Sequence, residues 1–277
     1  MAGTLYIVGT PIGNLGDISP RALETLRTAD FIAAEDTRVT LKLLNHFDIK
    51  NKLTSYHEHN RAEKGPDILS RLLAGESCAL VTDAGMPAIS DPGQDLVRLC
   101  REHNIPVQAV PGPSAVVTAL ALSGLDVSRF SFEGFLSVNK PKRRAHLEEI
   151  KTERKTMVFY EAPHKLAATL RDLYDTLGDR RIAIIKELTK IHESCEITTL
   201  GKAAGKYDEV KLKGEYVLLI EAKTEKELLD EKPKLDPLDL AKEYLAEGMS
   251  VNEASKRAAK ETGAKKSEIY KHLSENS

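Results

Sequence analysis

Glu35-Asp36-Thr37-Arg38 sets two carboxylates and a guanidinium within four residues. Such a group can position a polar substrate or receive a proton from it as a general base. The same residues also suit the start of a helix, where acids and Thr37 complement unpaired N–H groups. Sequence alone leaves both roles open. His57-Glu58-His59-Asn60 carries two imidazoles, but no further paired ligands lie nearby, so it reads as a polar loop that contacts substrate. No metal is expected.

Glycine and proline punctuate three further stretches: Gly9-Thr-Pro-Ile-Gly-Asn-Leu-Gly-Asp17, Asp83-Ala-Gly-Met-Pro87 and Pro111-Gly-Pro-Ser-Ala115. Each follows an apolar run that reads as a strand. In an open α/β sheet, ligands bind beyond the carboxyl ends of the strands, so three irregular loops at that edge make a site. The first loop is G-x-x-x-G-x-x-G, which is not the dinucleotide pattern. No Lys-Ser or Lys-Thr follows it, so it is not a P-loop and a nucleotide triphosphatase is disfavoured.

The elements that must position these loops alternate. Strands are expected at 5–9, 31–34, 78–82 and 107–110. Helices are expected at 19–28, from 38 to about 47, at 61–74 and at 93–103, with Ser19 capping the first and Pro20 in its first turn. This pattern predicts an α/β domain with a largely parallel sheet over residues 1–113. A second α/β domain over 114–223 has a helix at 115–122, an apolar run at 130–136, strands at 156–160, 182–185 and 216–220, and a helix at 164–177. Residues 224–237 are charged, carry two prolines and read as a linker. Residues 238–277 read as a small helical, helix-turn-helix-like extension of three short helices. Ser250 and Glu253 form a capping box there, and Gly263 ends the middle helix.

Apolar residues make up 41% of the 277-residue chain and charged residues 30%, the balance of an ordinary globular protein with a sizeable core. No apolar run is long enough to span a membrane, and the N-terminus lacks the features of a secretory signal. Three cysteines, far apart, fit a reducing cytoplasm. A net charge of −2 means that any basic surface must be local. Two stretches qualify: 137–155, with Lys140, Lys142, Arg143 and Arg144, and 256–271, with Lys265 and Lys266. Both could bind a phosphate backbone or be solvated charged faces.

The loops above resemble those of the tetrapyrrole (corrin/porphyrin) methylase superfamily, and within it the ribosomal RNA small subunit methyltransferase I family of 16S rRNA cytidine 2′-O-methyltransferases. The resemblance runs through 5–17, 33–38, 57–60, 81–87, Asp91-Pro-Gly93, 111–115, Glu133-Gly-Phe-Leu136, Phe159-Tyr-Glu-Ala-Pro-His164, Lys186-Glu-Leu-Thr-Lys190 and Gly214-Glu-Tyr-Val217. Gly9-Thr10-Pro11 departs from it, standing where relatives often have Pro-Thr-Pro.

The resemblance implies two α/β domains with S-adenosylmethionine in the cleft between them, commonly as a homodimer. By motif, Pro11, Asp83, Ala84, Gly85, Pro87, Ser114, Ala115, Phe135, Leu136, Ala162, Glu215, Tyr216 and Val217 would surround the cofactor. Glu35, Asp36, His57 and Glu58 are the candidate bases for the 2′-hydroxyl. Arg38, Lys140, Lys142, Arg143, Arg144, Lys265 and Lys266 are candidate contacts to 16S rRNA in the decoding region of the small ribosomal subunit. A tetrapyrrole or precorrin methyltransferase would not need the basic stretches or the helical tail. A non-catalytic RNA-binding protein would leave the three loops unexplained.

Overall fold

The computed structural model describes residues 2–89, 91, 93–207, 212–223 and 236–275. Its first sheet is built from five short strands: β1 (Leu5–Val8), β2 (Phe31–Ala34), β3 (Leu53–Ser55), β4 (Cys78–Val81) and β5 (Val107–Val110), in the order β3-β2-β4-β1-β5. Every pairing is parallel. The alternation of side chains splits the strands between two cores. Leu5, Ile7, Phe31, Ala33, Cys78 and Leu80 face one way, and Val8, Ile32, Ala34, Ala79 and Val81 face the other. Four helices connect the strands: α1 (Pro20–Thr28), α2 (Thr37–His46), α3 (Arg61–Leu73) and α4 (Gly93–Glu102). Ser19 Oγ accepts from the Ala22 N–H at 3.1 Å, which fixes the start of α1 as expected from sequence.

The chain leaves this sheet through α5 (Ala115–Ser123). It then builds a second sheet from β6 (Phe130–Phe135), β7 (Thr156–Glu161), β8 (Arg181–Lys186), β9 (Ser194–Thr199) and β10 (Tyr216–Ile220). The order is β6-β7-β10-β8-β9, with β6 and β7 parallel and the other pairs antiparallel. The sheet is covered by α6 (Lys140–Ile150), α7 (Leu166–Leu177) and α8 (Leu200–Lys206). Sequence reading did not register β3, α6, β9 or α8. β3 has three half-buried residues, and β9 is a half-buried edge strand. α6 is rich in charge and buries only Leu147 and Ile150.

Residues 1–222 form one compact unit and 223–277 a second. Most of the expected linker, 224–235, lies outside the described residues. The second unit contains α9 (Pro237–Ala246), α10 (Val251–Thr262) and α11 (Lys266–Glu275). They close around Leu240, Ala241, Tyr244, Ala254, Ala258, Ile269 and Leu273. The capping box of Ser250 and Glu253 opens α10, and Gly263 is its C-cap. Among the described residues, no helix is long and apolar enough to cross a membrane.

Candidate active site

The loops after β1, β4 and β5 are bound to one another. Thr10 and Gly85 exchange backbone hydrogen bonds of 3.0 and 3.1 Å, and Thr10 Oγ1 donates to the Thr82 carbonyl at 3.1 Å. A Cβ on Gly9 would lie 2.6 Å from the Cα of Gly112 and 2.7 Å from Met86 Sδ. These two glycines therefore let one loop backbone pass another. The sequence pattern had suggested that they let a ligand approach. Gly85 differs: its φ of +86° is the left-handed region that disfavours any side chain, and it borders a space beside Ile12, whose Cγ2 a Cβ there would meet at 3.3 Å.

That space is a cavity of about 520 Å³, within the range of small-molecule sites. Of the residues that the resemblance assigns to the cofactor, Asp83, Ala84, Gly85, Ser114, Ala115, Phe135, Ala162, Glu215, Tyr216 and Val217 line it. Pro11, Pro87 and Leu136 are absent from the lining. Their neighbours Ile12, Met86 and Phe135 line it in their place, while Pro87 and Leu136 are buried in the wall. Alternation along an extended segment explains Leu136: it turns into the core while Phe135 stays 57% exposed. Sequence reading missed Thr82, Asp91, Tyr160 and Glu161, which also line the cavity. Asp91 and Glu161 sit inside the Asp91-Pro-Gly93 and Phe159–His164 stretches, where an acid beside a turn was the available signal.

Five carboxylates line the cavity, those of Glu35, Asp83, Asp91, Glu161 and Glu215, and among the described residues no Lys, Arg or His does. Such a lining favours a cationic ligand over a phosphate. Burial raises the Asp83 carboxyl above the ordinary range, and the nearby Glu35 raises it further. Burial also raises Asp91, partly offset by the N–H groups of Ala88 and Gly93 that donate to it. Tyr160 and Tyr216 are raised by burial. Phe135 and Tyr160 stack at a tilt with ring centres 5.5 Å apart, giving the mouth an aromatic wall.

Of the four base candidates, Glu35 alone lines the cavity. Its Oε2 accepts from the Thr82 hydroxyl and from the Asp83 N–H at 3.3 Å. Asp36 caps α2 and is clasped by Arg38, at 3.0 Å to Nε and 2.6 Å to Nη2, which holds its carboxyl far below the usual range. The helix-start reading therefore describes Asp36, while Glu35 faces the cavity. His57 and Glu58 sit on the loop after β3, outside the lining. His57 Nδ1 is buried with no hydrogen-bond partner among the described residues. Among those residues, no group of three or more His, Cys, Asp or Glu is arranged to hold a metal ion.

The basic candidates also separate. Lys140, Lys142 and Arg144 are exposed on α6, and Lys265 and Lys266 are exposed in the second unit, Lys265 lying 3.5 Å from Glu268. Arg38 is exposed but paired with Asp36. Arg143 is a correction. Its side chain is 16% exposed and is bound by Asp172 and Thr169, so it does not present a free guanidinium to a phosphate.

Residues 4–204 match the family model of the Tetrapyrrole (Corrin/Porphyrin) Methylases. The chain is 48% identical to the ribosomal RNA small subunit methyltransferase I of Halalkalibacterium halodurans, over 97% of this chain and 93% of that one. It is 46% identical to the protein of the same name from Synechocystis, over 97% and 96%. Among solved structures, it resembles a uroporphyrin-III C-methyl transferase from Thermus thermophilus complexed with S-adenyl homocysteine. The TM-score is 0.56 and the identity 18%, over 78% of this chain and 97% of that one, a likeness of fold. The acidic cavity at the strand ends thus belongs to a chain of known lineage: it is a member of the tetrapyrrole methylase family, in the group of the ribosomal RNA small subunit methyltransferases I.

Proposed function

We propose that this chain transfers the methyl group of S-adenosylmethionine to the ribose 2′-oxygen of a cytidine in the decoding region of 16S rRNA, within the small ribosomal subunit, in the cytoplasm. Membership of the family makes it a methyltransferase that uses S-adenosylmethionine. The observation that carries the cofactor reading is the lining itself: five carboxylates, no Lys, Arg or His among the described lining residues, and an aromatic wall suit a ligand that is cationic at one end and flat at the other. The names of relatives that are similar over nearly their full length support rRNA as the substrate.

In this reading the halves 1–113 and 114–223 form the two walls. The 83–87 loop, Ser114-Ala115, Phe135, Ala162 and Glu215–Val217 would hold the cofactor. Bound there, S-adenosylmethionine supplies a methyl group already activated by its sulfonium. The protein's own task is alignment and exclusion of water, and orientation alone can lower such a barrier by roughly 7–11 kcal/mol. Glu35, fixed by Thr82 and Asp83, is the group placed to receive the hydroxyl proton. Lys140, Lys142 and Arg144 would meet phosphates. α5 is apolar apart from Thr118 and Ser123 and leaves Val117 and Leu122 exposed, which supports a homodimer through that face.

Incubation with labelled S-adenosylmethionine and either unmodified small ribosomal subunits or uroporphyrinogen tests the proposal. Label is expected in the rRNA only. Label in the macrocycle only would overturn the substrate assignment. Absence of label, with no rise in melting temperature on adding the cofactor, would overturn the enzyme reading.

A further inference from the structure

Arg143 lies in the middle of the basic run on α6, between exposed Lys142 and Arg144, yet its side chain turns inward. Its Nε donates to Asp172 Oδ2 at 2.6 Å and its Nη2 to Thr169 Oγ1 at 2.9 Å. Thr169 is fully buried on α7, and its hydroxyl donates to Glu161 Oε2 at 2.5 Å. Glu161 Oε1 accepts from the N–H of Ala162 at 2.8 Å. Glu161 and Ala162 both line the cavity, although Glu161 is only 3% exposed.

The chemistry of the groups fixes the direction of this chain. A guanidinium can only donate, and a hydroxyl has one proton. The Thr169 hydroxyl must therefore accept from Arg143 and spend its proton on Glu161. Both Glu161 oxygens are then engaged from within the protein, and the Glu161–Ala162 turn is set in one orientation. Burial of Thr169 and Glu161 makes the link between them costly to leave unmade.

We propose that Arg143 and Thr169 are positioning residues of the methyl-donor site, holding the Glu161–Ala162 turn against which the cofactor packs. The proposal rests on the reading of this cavity as the S-adenosylmethionine site. A charge that composition assigns to RNA instead acts on the cofactor wall from behind.

The test is calorimetric titration of S-adenosylmethionine into the full chain, with kcat measured on small subunits at saturating cofactor. Thr169→Val keeps shape and volume and removes the hydroxyl. It should raise the Kd by about tenfold, the effect of one buried hydrogen bond lost. kcat should change far less, and Thr169→Ser should bind as the wild type does. Arg143→Gln is the second variant, should Thr169→Val not fold. It should weaken cofactor binding severalfold while the salt dependence of RNA binding stays as in the wild type. Wild-type affinity in Thr169→Val or in Arg143→Gln, equal weakening in Thr169→Ser, or a reduced salt slope in Arg143→Gln would overturn the proposal. Failure of the wild-type chain itself to bind the cofactor would overturn the reading of the cavity, and this proposal with it.

Discussion

Glu35 and Asp83 stand at the ends of neighbouring strands β2 and β4, and the backbone N–H of Asp83 donates to the Glu35 carboxylate at 3.3 Å. The side chain of Asp83 in turn accepts from the N–H of Asp36 at 3.1 Å. Two acids are thereby held in one cavity by backbone groups, with no cationic side chain among the described lining residues. A cationic ligand would relieve what the fold leaves uncompensated.

Asp83→Asn should therefore separate stability from binding. The fold raises the Asp83 carboxyl above its ordinary value of 3.8, through burial and then through Glu35. A carboxyl raised on folding binds its proton more tightly in the folded state. Its contribution to stability is full below 3.8 and is lost as pH rises through the raised value. In thermal melts taken as pH rises from below 3.8, wild type should lose ground against Asp83→Asn. At neutral pH the variant should be at least as stable as wild type, yet bind S-adenosylmethionine roughly ten- to a hundredfold more weakly. Equal affinities would remove Asp83 from the site.

Gly9→Ala should destabilise the loop cluster. Its Cβ would meet the backbone of Gly112 at 2.6 Å, where neither chain can yield without moving a cavity loop. Overpacking of this kind costs on the order of 1–3 kcal/mol, readable as a lower melting temperature and a weaker cofactor complex. A melting temperature equal to wild type would mean that the loops have slack.

Neutralising Lys140, Lys142 and Arg144 together should flatten the salt dependence of rRNA binding. Each lost phosphate contact reduces the slope of log K against log salt by roughly 0.7–0.9. Arg143, turned inward and paired with Asp172, should add nothing to that slope. Cofactor affinity should stay as in wild type. An unaltered slope would make α6 a solvated face.

A chain ending at Ala222 should fold and bind S-adenosylmethionine normally, since every residue of the cavity precedes that point. Its methylation of small subunits should fall at low substrate and recover as substrate is raised, because a tethered module adds effective concentration without touching the chemistry. Loss of cofactor binding would place residues 223–277 in the catalytic core.

Much of this was legible in the residues. Ser19 followed by Pro20, the Ser250–Glu253 box and Gly263 are local signals, and each sits where local chemistry placed it. The buried strands β1, β2 and β4 read as apolar runs because both faces of a parallel sheet are covered. What stayed hidden depends on tertiary contact. α6 carries so much charge that its two buried residues leave no clear period. Arg143 shares its composition with its neighbours and differs only in meeting Thr169 and Asp172, 26 and 29 residues away. Gly9 and Gly112 looked like ligand loops because a backbone that admits a ligand and one that admits another backbone ask for the same residue.

The central claim is tested most directly by the nucleoside that carries the methyl group. Unmodified small subunits would be incubated with the protein and labelled S-adenosylmethionine, the 16S rRNA digested to nucleosides, and the label resolved by mass spectrometry. The account predicts 2′-O-methylcytidine, formed by the wild type and lost with Glu35→Ala or Asp83→Ala. Label on a base, or in a nucleoside other than cytidine, would contradict it.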